Sequence, residues 1–252
     1  ILVTAPSLVG GALLGALAGL LTAQRRHYDR ADRQAGLYCY NGVLIGILIS
    51  AVLPWSAIMP PLIIAAGGMS SIITHQWRKR GGKLLIAYTA PFVLLGWGTL
   101  MFATPSTASF VEADTLYAIA RGIGQIFLLD HPLAGSLIIL GIVIANPYAA
   151  MWAVIGSAIG GGVALLADQA QAAWLGLYGF NAALAALAFS RQGEKPWVTL
   201  LAIALALLIQ PLFNLMPIAG LTAPFVLACW LMHGGNHFWQ LLLRRDIGRL
   251  HN

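Results

Sequence analysis

From Leu133 to Ala167, 35 residues pass without an Asp, Glu, Lys, Arg or His. A helix that spans a membrane needs about 20 mainly apolar residues, whereas a strand of a membrane barrel needs about 10 that alternate. This stretch does not alternate, and it is long enough for more than one helix. It predicts an all-α integral membrane protein.

The composition of the whole chain agrees with this prediction. Of 252 residues, 59% are apolar and 9% are charged, against about 25% charged in a soluble domain. So few charges cannot cover the surface of a soluble protein of this size. Soluble enzymes, disordered chains and nucleic-acid binders are therefore excluded, and the excess of 14 Lys and Arg over 8 Asp and Glu is interpreted as loop charge.

Polar breaks divide the chain into a series of apolar segments. The segment Leu116–Asp130 is short and contains Arg121, so we expect it to dip into the membrane and return on the same side. The other segments are Ile1–Ala23, Gly36–Leu53, Ser56–Trp77, Leu84–Ala103, Leu133–Ala145, Pro147–Ala167, Trp174–Ser190, Trp197–Leu212 and Ile218–His233.

Alternating crossings place every basic loop on one face of the membrane. These basic segments are Gln24–Gln34, Arg78–Lys83, Arg191–Lys195 and the tail with Arg244, Arg245 and Arg249. The loop with Glu112 and Asp114 falls on the other face. Because cytoplasmic loops carry the excess of Lys and Arg, the basic loops and the tail are predicted to be cytoplasmic.

The sequence contains an internal repeat. Gly36-Leu-Tyr-Cys-Tyr-Asn matches Gly176-Leu-Tyr-Gly-Phe-Asn, and Tyr88-Thr-Ala-Pro-Phe matches Leu221-Thr-Ala-Pro-Phe. The matches keep their order, and the predicted topology gives the two copies opposite orientations. We therefore predict two inverted halves, residues 1–112 and 113–252, with a short pore helix near 118–130 in the second half.

Inverted repeats are typical of transporters, in which interrupted helices surround a site near the middle of the membrane. Pro91 and Pro224 each remove a backbone donor inside an apolar segment. An ordinary kinked helix is the alternative at either position. The occurrence of the same Thr-Ala-Pro-Phe in both halves favours an interruption, and non-helical backbone at this depth lines a cavity or is buried in protein.

The repeat leaves the start of the first half without a match. Ile1 aligns near Gly141, so the second half holds about one re-entrant segment and one spanning helix more than the first. We expect a corresponding N-terminal segment to be missing from this sequence. A native protein with an incomplete half is the alternative.

Apart from Arg121, Asp130 and two histidines near segment ends (His75 and His233), the polar side chains inside the apolar segments are neutral. They are chiefly Thr89, Thr222, Asn41, Asn181 and Gln125. Without a pair of embedded carboxylates, a proton- or cation-coupled pump is poorly supported, and the sequence indicates neither a metal site nor a cofactor. A narrow pore with amide and hydroxyl groups suits a small neutral solute. Asn41 and Asn181 lie beside small residues and are interpreted as helix-packing residues, and Gln125 is either a packing residue or a pore acceptor.

The motifs together resemble the urea transporter family. They are Gly-Leu-Tyr-x-Tyr/Phe-Asn, Gly-x-Gly-Gln followed by Pro-x-x-Gly, and the repeated Thr-x-Pro-Phe. The resemblance covers nearly the whole chain. It implies inverted halves of five spanning helices with a short pore helix each, a passive channel for urea in every protomer, and a homotrimer.

The resemblance also implies the residues of the pore. They are Gln125 at the mouth of a pore helix, Thr89 and Thr222 at the narrow middle, Phe92 and Phe225 beside them, Leu44 and Leu184 in the apolar wall, and Phe127 or Leu128 in the same wall. Asp130-His131-Pro132 departs from the commoner Asn-Pro of the family, and Ala182 stands where the first repeat has Gly42.

Three functions remain open at this point. The first is passive urea transport, and the second is transport of another small neutral solute such as a short amide, ammonia or water. The third, a membrane-embedded enzyme or structural subunit, lacks any catalytic constellation in the sequence. Membrane lipid is the expected surrounding, nucleic acid is not an expected partner, and the compact chain suits a bacterial inner membrane.

Overall fold

The computed structural model describes residues 4–82, 84–103, 114–192, 195–217 and 219–250, with the side chains of all these residues except 239 and 241–250. The described chain is helical. Its α-helices are α1 (Val9–Arg25), α2 (Arg30–Gln34), α3 (Tyr40–Val52), α4 (Met59–Gly81), α5 (Ala90–Leu100), α6 (Thr115–Gly124), α7 (Pro132–Ala145), α8 (Pro147–Leu166), α9 (Ala170–Trp174), α10 (Gly179–Phe189), α11 (Pro196–Asn214) and α12 (Ala223–Leu250).

Within the residues that the structure describes, three helical stretches are long and apolar enough to cross a membrane. They are Pro6–Arg25, Pro147–Leu166 and Pro196–Asn214. A fourth crossing is formed if Thr115–Phe127 and Pro132–Ala145 count as one span, although these two pieces are bent by 77°. The predicted all-α membrane protein is confirmed, and the bend lies where the sequence predicts a segment that dips and returns.

Three predicted spans contain shorter helices than the sequence suggests. The segments Gly36–Leu53, Leu84–Ala103 and Trp174–Ser190 hold helices of 13, 11 and 11 residues. At 1.5 Å per residue, each is shorter than the roughly 30 Å of a hydrocarbon core. A residue with positive φ precedes each of these helices, so turns or irregular backbone make up the rest of each segment.

These positive-φ residues recur at matching positions of the two halves. The pairs are His27 (53°) with Asp168 (55°), Gly36 (74°) with Gly176 (72°), and Tyr88 (39°) with Leu221 (50°). A non-glycine residue with positive φ is uncommon, so the two matched non-glycine pairs, together with the matched glycines, show that the halves share backbone structure. Thus α1–α5 correspond to α8–α12, and α6 and α7 have no counterpart among the described residues.

Small residues allow the equivalent helix pairs α1–α3 and α8–α10 to approach closely. A Cβ atom on Gly15 would lie 2.0 Å from the carbonyl oxygen of Gly42, and one on Gly156 would lie 2.7 Å from that of Ala182. Both distances are shorter than a van der Waals contact. The backbones can therefore touch only because the Cβ atoms are absent.

The last helix differs from the prediction. The sequence suggests a span that ends at His233, followed by a basic tail, whereas α12 continues to Leu250. Residues 234–250, which include most of the predicted tail, continue α12 without a break and are therefore helical. The proposed boundary between the halves at 112 and 113 lies outside the described residues, so the division of the chain remains a prediction.

Candidate functional site

The two Thr-Ala-Pro-Phe segments begin helices rather than kink them. Helix α5 starts at Ala90 and α12 at Ala223, so that Pro91 and Pro224 lie in the first turn. Proline is well tolerated there, because the first N–H groups of a helix have no partner within it. The backbone before each helix is non-helical. The predicted interruption is therefore a turn followed by a helix N-terminus, once in each half.

The threonines before these helices meet at the centre of the molecule. Thr89 Oγ1 and Thr222 Oγ1 are 2.7 Å apart, at hydrogen-bond distance, and both side chains are buried. Each threonine is the residue immediately before its helix, and its carbonyl accepts the first helical hydrogen bond, from Val93 for Thr89 and from Val226 for Thr222. The structure thus brings together the two hydroxyls that the resemblance places in the narrow middle.

Each helix start is held by an asparagine from a neighbouring helix. Asn41 Oδ1 accepts from the N–H of Phe92 at 3.3 Å, and Asn41 Nδ2 donates to the carbonyl of Tyr88 at 3.2 Å. Asn41 is 1% exposed. Its amide therefore bridges the residue before Thr89 and the third residue after it.

The second half repeats this arrangement. Asn181 Oδ1 accepts from the N–H of Phe225 at 3.3 Å, and Asn181 Nδ2 donates to the carbonyl of Leu221 at 3.2 Å. A further acceptor completes the amide, namely Gln210 Oε1 at 2.7 Å. Because Asn181 is fully buried, these contacts satisfy a polar group that would otherwise be costly to enclose.

Two tryptophans make reciprocal contacts between the halves. Trp97 on α5 donates to the carbonyl of Ala219 at 3.2 Å, and Trp230 on α12 donates to the carbonyl of Ile86 at 2.8 Å. When element i contacts j′ and j contacts i′, the two units are related by a local twofold axis. This axis passes between Thr89 and Thr222.

Apolar side chains pack on each side of the threonine pair. On the first side Leu44 and Phe92 belong to one buried cluster, and partly buried Leu221, Phe127 and Leu128 pack against it. The structure therefore places both of the alternative wall residues beside the predicted wall. This is possible because Leu128 has a φ of 56°, which turns the chain after the short 3₁₀ helix Gln125–Phe127.

The cluster on the second side has equivalent members. Phe225 packs with partly buried Leu184 and Tyr88. Tyr88 meets Phe225 edge-on, with ring centroids 5.3 Å apart. Each phenylalanine thus packs with the leucine of its own half and with the residue before the threonine of the other half.

Gln125 lies at the end of α6. Its Nε2 donates to the carbonyl of Leu175 at 3.2 Å, and one turn earlier Arg121 Nη1 donates to the carbonyl of Trp174 at 3.4 Å. Both side chains fasten α6 to the corner that follows α9. Gln125 therefore has the packing contact that the sequence left open as one alternative, and its role in a pore remains a prediction.

Two pairs of residues make contacts around the site that were not predicted from the sequence. Asn41 and Asn181 were interpreted as helix-packing residues, whereas they hold the starts of α5 and α12. Trp97 and Trp230 were not singled out. The available signal was positional, because both pairs occupy equivalent places in the repeat. Among the described residues, no group of three or more His, Cys, Asp or Glu side chains could hold a metal ion.

The fold and this centre define a class of protein: an all-α membrane protein whose two similar halves bring a pair of helix starts together. The family model described as urea transporter matches residues 1–237. The chain belongs to the urea transporter family, which confirms the resemblance. The members of this family are transporters rather than enzymes.

Individual relatives agree with this membership. The chain is similar to urea transporter 1 of Ovis aries, with 28% identity over 253 residues that cover 86% of this chain and 65% of the relative. It is similar to urea transporter 1 of Capra hircus, with 29% identity and the same two coverages, and to that of Mus musculus, with 29% identity over 77% of this chain and 57% of the relative. The chain thus spans about two thirds or less of the length of these curated relatives.

Proposed function

We propose that the protein conducts urea passively across a membrane along a path that passes the Thr89–Thr222 pair. The observation that carries this proposal is the contact between these two buried hydroxyls at the local twofold axis of a chain that belongs to the urea transporter family. Family membership supports the solute, and the geometry supports the location. In this proposal Gln125 lies at a mouth of the path. The apolar side chains of the predicted site form its wall, namely Phe92, Phe225, Leu44, Leu184, Phe127 and Leu128.

The chemistry around the threonines suits a neutral polar solute. A hydroxyl both donates and accepts, so it can bind either the carbonyl oxygen or the N–H groups of urea. In the absence of solute the two hydroxyls satisfy each other, which offsets the cost of burying them. Phe92, Phe225 and Leu44 give the surroundings an apolar character. A full charge there would be costly to desolvate.

The directions of the two helix starts support inverted halves. From Thr89 to Trp97 the chain advances about 12 Å along α5, while the contacted residue moves back from Thr222 to Ala219. The same holds for α12 and the segment before Thr89. Helices α5 and α12 therefore leave the threonine pair in opposite directions, as two halves that approach it from opposite membrane faces would require.

Gln125 belongs to the proposed path as a residue of its mouth. One N–H of Gln125 is bonded to Leu175, so its carbonyl oxygen and its second N–H can bind a solute. An oxygen acceptor matches the four N–H bonds of urea. Phe127 and Leu128 follow on the same turn and pack toward Leu44 and Phe92, so they join the mouth to the apolar wall.

The test is urea entry into proteoliposomes that contain the full-length protein, measured by stopped-flow light scattering without an ion gradient. The paired substitutions Thr89→Val and Thr222→Val keep the shape of the side chains and remove both hydroxyls. Losing these hydrogen bonds in a desolvated path lowers the urea rate at least about tenfold. Thr199→Val is the matched control, because Thr199 is also buried but bonds to Phe189 in another part of the protein.

Three results separate the alternatives. Fast urea entry that falls in the paired variant and persists in Thr199→Val supports the proposal. Entry at the rate of empty liposomes, together with fast entry of formamide, acetamide, ammonia or water in the same vesicles, assigns another neutral solute. Urea entry that requires a sodium or proton gradient overturns the passive mechanism.

We further propose that the protein is a homotrimer with one path per protomer, embedded in lipid in a bacterial inner membrane with its basic loops in the cytoplasm. The resemblance supports the trimer, and the distribution of basic residues supports the orientation. The compact chain is the support for a bacterial location, whereas the relatives named above are mammalian. Light scattering of the purified protein measures the number of protomers, and labelling of introduced cysteines measures the orientation.

A further inference from the structure

We propose that Asn41 and Asn181 are positioning residues that cap α5 and α12 from outside these helices, and that they thereby leave the hydroxyls of Thr89 and Thr222 free for solute. This inference rests on the proposed function, since it concerns the threonines of the same path.

A threonine that precedes a helix ordinarily caps it. Its hydroxyl accepts a hydrogen bond from the N–H of the second or third residue of the helix, which otherwise has no partner. Thr89 occupies this position before α5, but its side chain makes no such bond. Its hydroxyl is instead directed at Thr222.

Two features of the sequence remove the local donors. The second residue of α5 is Pro91, which has no N–H. The third is Phe92, and Asn41 Oδ1 accepts its N–H. Thr89 therefore has neither of the two donors that a capping hydroxyl uses.

The second half has the same arrangement built from its own residues. Pro224 is the second residue of α12, and the N–H of the third, Phe225, is bonded to Asn181 Oδ1. The complete set therefore occurs twice, related by the local twofold axis. One such asparagine can be explained by helix packing alone, whereas two that bond equivalent backbone groups, the N–H of Phe92 and that of Phe225, indicate a shared role.

This role makes a prediction that ordinary packing does not. When Asn41 is replaced by Leu, the N–H of Phe92 becomes available and the Thr89 hydroxyl can turn back to cap α5. The hydroxyl then leaves the path. Asn41→Leu should therefore lower urea permeability about tenfold, and adding Thr89→Val should lower it little further, although independent sites would give about a hundredfold loss.

The effects of Asn41→Leu and Thr89→Val on thermal stability should reinforce each other, whereas their effects on permeability should overlap. In the native protein Thr89→Val removes a hydroxyl that does not cap. In the Asn41→Leu background the same change removes a cap, so its effect on the thermal midpoint should grow by about 2–4 °C. If Asn41 only packs, Asn41→Leu and Thr89→Val should have independent effects on both the urea permeability and the thermal midpoint.

A second variant avoids removing a buried side chain. Pro91→Ala restores an N–H at the second helical position, which offers the Thr89 hydroxyl a local partner while Asn41 stays in place. It should also lower urea permeability and increase the effect of Thr89→Val on the midpoint. Pro147→Ala is its control. Pro147 also lies in the first turn of a helix, but Asn146 caps that helix, α8, through the N–H of Ala149, and α8 does not contain either threonine of the pair.

The experiment is the set of four proteins for each cycle (native, each single change and the double change), measured for urea entry in proteoliposomes and for thermal unfolding in detergent. Opposite coupling in the two measurements, in either the Asn41 or the Pro91 cycle, supports the inference. Additive effects in both cycles overturn it. If the native protein carries no urea, the proposed function fails, and the unfolding measurement still decides whether the asparagines release the threonines.

Discussion

The two helix starts at the centre of the protein share their inner contacts and differ in their outer ones. In both, a buried asparagine holds the backbone on either side of a threonine. The carbonyl before Thr89 also accepts a bond from the hydroxyl of Tyr40, whereas Phe180 occupies the matching position in the second half and has no hydroxyl to donate. The asparagine contacts on either side of each threonine are thus the same in the two halves, whereas the tyrosine contact occurs in the first half.

The residues just outside the threonines differ more strongly. Tyr88 bonds through its hydroxyl to His233 Nε2 at 2.9 Å, while its counterpart Leu221 packs in the first-half cluster. The two approaches to the threonine pair therefore have different chemistry, one with a phenol and an imidazole and the other with an aliphatic side chain. A path with a symmetric middle can in this way have unequal ends.

The largest expected difference between the halves is in helix packing. Gly15→Ala places a methyl group against the Gly42 carbonyl in a smaller gap than Gly156→Ala meets at Ala182. The first change should lower the free energy of unfolding by an amount near the top of the roughly 1–3 kcal/mol typical of overpacking, and the second by less. Thermal or denaturant unfolding of the purified protein measures both.

Gly161→Ala is the control for this comparison. It is adjacent to Gly160 on α8, and a Cβ there meets no atom within 4 Å. Because alanine favours a helix by up to about 1 kcal/mol over glycine, this change should leave stability unaltered or raise it. Equal losses for Gly15→Ala and Gly156→Ala would contradict the closer approach of α1 and α3.

An intermediate effect is expected for the reciprocal tryptophans. Trp97→Phe and Trp230→Phe each remove one hydrogen bond between the halves and keep an aromatic ring. Each should cost about 1 kcal/mol in unfolding free energy, with the larger loss for Trp230 because its bond to Ile86 is the shorter one. Unfolding of the single and double variants measures this, and a loss in only one of them would show that the twofold relation does not extend to these contacts.

The smallest effect is expected for the hydroxyl of Tyr88. Tyr88→Phe loses the bond to His233 and retains the edge-on contact with Phe225. Stability should fall by about 1 kcal/mol or less, and urea entry should stay within about twofold of the native rate because the second half has no such hydroxyl. His233→Phe is the partner change in a double-mutant cycle. A tenfold fall in the urea rate would place the Tyr88 hydroxyl in the path.

The sequence was sufficient to predict several parts of this centre. Repeated motifs at nearly constant spacing indicated two similar halves, and the paired prolines indicated interruptions at Thr89 and Thr222. The sequence was less successful with lengths, because it assigned full spans to the segments that contain α3, α5 and α10. Apolar composition continues through a turn, whereas helical hydrogen bonding stops there.

The asparagines show why the remainder could not be read from the sequence. Asn41 and the N–H of Phe92 are separated by 51 positions in the chain, so no local pattern links them. An amide beside small residues is compatible with packing, with a pore and with capping. The choice depends on which backbone groups remain unpaired when the helices have assembled.

The sequence by itself determined three properties of this protein. The small number of charges indicated that it lies in a membrane, the length of the apolar stretches indicated that it is helical, and the recurrence of motifs indicated a twofold repeat. The tertiary structure decided which polar groups face one another. Hydrophobic burial is non-directional and is recorded in composition, whereas hydrogen bonds require atoms at defined distances and angles. Only the assembled helices place the hydroxyls of Thr89 and Thr222 in contact and give their capping positions to Asn41 and Asn181.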